Sequence, residues 1–163
     1  MKLEIEDVFA LPSCEAYERL YFDEDYNIAL GAALRMGRAL RRLDRTPERV
    51  IRHVAFEPAQ DPGSPVEHLG TSRKAFIEVM DYDLRAHRGT WTTTPNVFAD
   101  RVTNAGTFEL AMVAGGVRRV VTADVRVRLF GFGGRVEKLI VGEIVKNYEK
   151  STRFMREWIA RRG

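Results

Sequence analysis

The chain has 163 residues, 45% of them hydrophobic and 30% charged, which fits one folded domain and excludes a disordered chain. Its formal charge of +3 is small for this length and makes no electrostatic case for nucleic acid. The single cysteine, Cys14, excludes an internal disulfide and a thiolate metal site, and no apolar run approaches the roughly 18 residues of a membrane span. The amino terminus alternates and carries acids, unlike a signal peptide, so a reduced, cytoplasmic protein is expected.

Lys2 to Leu11 alternates, with Leu3 and Ile5 against Lys2, Glu4 and Glu6, and predicts a half-buried strand. Pro12 ends it, and Ser13 is placed to cap a helix from Cys14 that gathers Ala16, Tyr17, Leu20 and Tyr21 on one side. Asp23, Glu24 and Asp25 favour a second helix start, carried on by Ile28 to Leu34. Ala39 to Asp44 and Arg49 to Glu57 read as strands around Arg45-Thr46-Pro47, and the proline-rich stretch from Pro58 to Thr71 reads as a loop. Lys74 to Leu84 and Arg88 to Thr94 form the next predicted pair. Thr107 to Val113 and Val117 to Leu129 flank Ala114-Gly115-Gly116, the clearest hairpin signal. On its second strand Val117, Val121, Ala123, Val125, Val127 and Leu129 share one face, and Arg118, Thr122, Asp124, Arg126 and Arg128 the other. Arg135 to Arg161 has helical period, with Val136, Ile140, Ile144, Tyr148, Met155 and Ile159 in one stripe over roughly 40 Å.

Gly131, Gly133 and Gly134 raise the question of a phosphate loop. A dinucleotide fingerprint beginning at Gly131 needs glycine at position 136, which is Val136, and no Walker loop is present. Such loops also need a strand after the helix, whereas here the helix is the last predicted element. The expected role is a corner that turns the chain and lets the helix approach the sheet.

The order is one strand, two short helices, about six antiparallel strands and one long helix. With "IEDVFALPSCEAYERL", "RGTWTTTPN", "AGGVRRVVTADVRVRLFGFGG" and "RVEKLIVGEIVKNYEKSTRFMREW", it resembles the START-like (SRPBCC) superfamily over essentially the whole chain. That group includes polyketide cyclase/dehydrase-like and coenzyme Q-binding proteins, and the last two segments look most like an uncharacterised bacterial branch. The resemblance implies an α+β helix-grip fold, a curved antiparallel sheet wrapped around the long carboxy-terminal helix, with residues 1–163 as one domain. It also implies an apolar cavity between sheet and helix, where a packed interior would be the ordinary expectation. Periodicity independently points Phe108, Leu110, Met112, Val121, Val125, Ile140, Ile144 and Tyr148 toward a common interior. Trp91 and Tyr148 are amphipathic rings suited to a ligand's polar end.

No residues carry a catalytic or metal-binding motif. His53, His68 and His87 have no ligand spacing, Cys14 has no partner base, and Glu78 and Glu109 are expected to face solvent on alternating strands. Seven arginines between Arg35 and Arg52 read as a solvated strand face. The leading expectation is a carrier of a small hydrophobic ligand (a lipid, quinone or polyketide-like compound) without a cofactor, nucleic acid or stable membrane insertion, though with room for transient membrane contact. The loop from Pro58 or the glycine corner would admit the ligand. A polyketide cyclase/dehydrase-like enzyme and a packed module working through its surface are the alternatives.

Overall fold

The computed structural model describes residues 1–59 and 75–162. In chain order these form β1 (Lys2–Phe9), α1 (Cys14–Tyr21), α2 (Glu24–Ala33), β2 (Met36–Arg45) and β3 (Arg49–Pro58). There follow β4 (Phe76–Asp83), β5 (Arg88–Pro95), β6 (Val102–Val113), β7 (Gly116–Val127) and α3 (Gly133–Arg162). Both short helices begin where a side-chain oxygen meets an unpaired first-turn N–H. Ser13 Oγ accepts from Ala16 N at 3.0 Å, and Asp23 Oδ1 from Tyr26 N at 2.8 Å.

Among the described residues seven strands form one open, curved sheet in the order β1-β7-β6-β5-β4-β3-β2, with every neighbouring pair antiparallel. The α+β fold expected from the sequence is therefore present, with two short helices after the first strand and a long helix at the end. Much of the loop expected from Pro58 to Thr71 lies outside the described residues, as does His68.

Alternation sets which side chains turn inward. Val117, Val121, Ala123, Val125 and Val127 are buried along β7. Phe9 stands opposite Val117 on β1, and Phe108 opposite Val121 on β6. Tyr17 from α1 meets Phe9 edge-on, with ring centres 5.3 Å apart, and Phe108 also packs edge-on against Tyr82. The long helix crosses this inner face against β7 and β1 and touches α2. Val136 and Met155 are its buried apolar anchors, while Ile140, Ile144 and Tyr148 are half-buried.

The glycine corner is structural. Gly131 has φ +77°, which side chains rarely adopt, and a Cβ on Gly133 would stand 2.4 Å from the Val127 carbonyl oxygen. Glu137, in the first turns of α3, accepts from Val127 N at 2.9 Å and ties the helix start to the end of β7.

Candidate functional site

The inner face carries charge as well as apolar surface. Arg119 falls between Val117 and Val121 on β7, and Arg52 between Val50 and Val54 on β3, so the two-residue period turns both guanidiniums inward. They are 3% and 5% exposed. Burying such ions is costly unless they are well paired. Arg119 is well paired, donating to Asp7 Oδ2 at 2.6 Å, Thr152 Oγ1 at 2.7 Å and Tyr17 Oη at 3.2 Å. Its guanidinium also lies 5.2 Å from the Tyr148 ring centre.

Arg52 is held loosely by the described residues. Its hydrogen bonds, to the carbonyl and the phenol oxygen of Tyr21, are both 3.4 Å long, and Glu78 stands 3.5 Å away. Its guanidinium lies over the rings of Tyr21 and Phe22, at 4.9 and 5.3 Å. Glu78 registers with Val54 and Thr93 on the inner face, so the expectation that it points to solvent is corrected. The solvated-face reading of the arginine run is corrected too. Arg41, Arg42, Arg45 and Arg49 are exposed, but the side chains of Arg38 and Arg52 are 7% and 6% exposed.

These groups surround a cavity of about 120 Å³ between the inner face of β3 and β4, helix α2 and the second half of α3. Tyr26, Leu30 and Leu34 come from or just follow α2, Phe56 from β3, and Tyr148 and Met155 from α3. Arg38, Arg52, Arg119 and Glu78 add its charge. Burial pushes the phenols of Tyr21 and Tyr148 above the ordinary tyrosine value, Tyr148 well above it, so both are neutral donors at ordinary pH. A second polar cluster lies under α1, where Glu18 Oε1 accepts from Tyr82 Oη at 2.8 Å and meets His87 Nδ1 at 2.7 Å. This satisfies the buried Glu18 and makes His87 a hydrogen-bonded structural residue. Burial raises the Cys14 thiol, which opposes a nucleophilic role. No group of three or more His, Cys, Asp or Glu is placed to hold a metal among the described residues.

A family model described as "Protein of unknown function (DUF2505)" matches residues 13–159. The chain belongs to that family. No curated protein matches it. Among solved structures it is similar to TTHA0849 from Thermus thermophilus, with 18% identity, a TM-score of 0.63, and 96% of this chain and 95% of that one covered. It is similar also to Ms6760 from Mycobacterium smegmatis, with 10% identity, a TM-score of 0.65 and 99% and 92% covered. CV1439 from Chromobacterium violaceum has 12% identity and a TM-score of 0.61, over 96% of this chain and 95% of that one. At these identities the likeness is one of fold.

In this DUF2505 chain, the nine residues expected to meet a ligand, Trp91 and the eight that periodicity points inward, are differently placed. Trp91, Phe108, Leu110, Val121 and Val125 are buried, and Phe108 is packed between the rings of Tyr17, Tyr21 and Tyr82. Trp91 spends its N–H on the Thr107 carbonyl at 3.3 Å. Met112 keeps the inner register opposite Val117 but is 53% exposed near the hairpin end. Ile140 and Ile144 are half-buried, and of the nine only Tyr148 lines the cavity. Arg52, Arg119, Tyr26 and Glu78 were missed as site residues. The parity that puts Val117 and Val121 inside also puts Arg119 there, but a charged residue between apolar ones carries no sequence signal of its partners Asp7, Tyr17 and Thr152.

Proposed function

We propose that this protein binds a small hydrophobic molecule between the inner face of the sheet, α2 and α3, in the manner the START-like resemblance implies. The observation that carries this reading is the cavity of about 120 Å³ with Leu30, Leu34, Phe56 and Met155 among its walls. Its volume is below the roughly 300–1,000 Å³ of sites that engulf drug-sized ligands. The ligand is therefore small, or only one end of it enters. Binding is driven by removing apolar surface from water, at roughly 25 cal/mol per Å². Native mass spectrometry of the purified protein tests the reading. A retained apolar compound, released on denaturation, is the expected result; repeated recovery of ligand-free protein that takes up no apolar probe would count against it.

A specific observation favours a second reading, a cyclase/dehydrase-like enzyme. The cavity is not wholly apolar, because the Arg52–Glu78 pair and Tyr148 share its wall. Turnover of a carbonyl compound that is lost in Glu78→Gln, while ligand uptake persists, would select this reading over simple carriage.

A further inference from the structure

We infer that the ligand carries an acidic head group, a carboxylate or a phosphate, and that Arg52 receives it. This rests on the binding function proposed above and specifies which end of the ligand meets Arg52.

Three observations converge. First, three guanidiniums and one carboxylate line the same cavity, and Arg52 is the guanidinium there without a close acid, Glu78 standing 3.5 Å away. Asp7 and Glu24, the acids paired with Arg119 and Arg38, are not among the lining residues. Second, each of these arginines has a buried nitrogen without a hydrogen-bond partner among the described residues: Nη2 of Arg38, Nε of Arg52 and Nε of Arg119. Buried donors are almost always satisfied, so each of these arginines keeps hydrogen-bonding capacity that its partners among the described residues do not use. Third, Arg52 has no close polar partner among the described residues. Its neighbours stand at 3.4 and 3.5 Å, beyond the usual 2.7–3.2 Å of an N–H···O bond. A carboxylate or phosphate presents two oxygens that match the guanidinium fork and form the shorter, stronger charge-assisted bonds.

The rest of the site fits this assignment. Tyr21 and Tyr148 are neutral donors beside Arg52 and Arg119, and the apolar wall from α2 and Phe56 takes the tail. Glu78, whose side chain is 23% exposed, sits at the wetter side of Arg52, from which it can yield its place to the incoming acid.

The test compares hexanoate, hexyl phosphate and hexanol, which share an apolar tail and differ in the head. Calorimetric titration of the wild-type protein is expected to show hexanoate or hexyl phosphate binding at least about tenfold tighter than hexanol. Arg52→Met should lose that preference while still binding hexanol, with a thermal melt confirming that it folds. Arg38→Gln, in the lining of the same cavity, provides a second reading and should narrow the preference. Equal binding of the three compounds, or an unchanged preference in both variants, overturns the acidic head group and leaves the apolar cavity standing. Failure of all three to bind overturns the head group together with the binding function.

Discussion

Arg52 and Arg119 are buried to nearly the same depth, but their partners differ, and so should the consequences of removing them. Arg119 joins β7 to β1 through Asp7 and to α3 through Thr152. Arg119→Met removes the closest partner of Asp7 and leaves it with Thr152 Oγ1 at 3.0 Å and Arg156 at 3.9 Å, so urea denaturation should show a loss of about 3 kcal/mol, the low end for a broken buried pair. Arg52→Met removes an ion whose partners stand at 3.4–3.5 Å, and it leaves behind a carboxylate that water can reach. Its stability should change by about 1 kcal/mol or less in the same assay. A large loss in this variant would show that Arg52 is a structural residue. The site was only partly legible at this scale. Tyr148 was found because a tyrosine on an apolar stripe is conspicuous. Arg52 and Glu78 were not, because a charged residue in an alternating strand normally marks the wet face. The register, which pairs Arg52 with Met80 and Glu78 with Val54, agrees with the two-residue period and places both on the dry one.

At the scale of elements, the corner between β7 and α3 makes a paired prediction. Gly133→Ala drives a methyl into the Val127 carbonyl, whereas a Cβ on Gly134 meets nothing within 4 Å. Thermal melts should show Gly133→Ala destabilised by about 1–3 kcal/mol. Gly134→Ala should be neutral or up to about 1 kcal/mol more stable, since alanine favours a helix. Similar losses in both would mean that the helix start does not approach the strand as described. The elements themselves were largely legible. Cap residues fixed both short helices, and the Gly-Gly turn fixed the last hairpin. The least legible boundary was that of β6, which begins at Val102 rather than Thr107 because Val102–Ala105 pairs with the far end of β7. That pairing is a long-range contact with only a weak local signal.

Across the whole molecule, all five tyrosines are held neutral by burial, which raises each phenol above its ordinary value and that of Tyr17 to about 12. A folded pKa above the unfolded one contributes stability that is fully present below the unfolded value of about 10 and lost as pH rises through the folded value. Absorbance near the tyrosinate band should therefore stay flat through pH 10 and then rise together with the loss of helical signal. Separate early titration of one or two tyrosines would contradict the enclosed positions. The sheet is open, and β2 forms one of its margins, paired among the described residues with β3 alone. Leu40 and Leu43 are exposed there, between the exposed Arg41, Arg42 and Arg45, and the register slips between Leu40 and Arg42. Cationic side chains and a local irregularity make a poor template for another chain. Replacing Arg41, Arg42 and Arg45 with threonine should leave the chain folded yet produce concentration-dependent aggregates by light scattering, the expected result if part of this strand's arginine content keeps neighbouring copies apart.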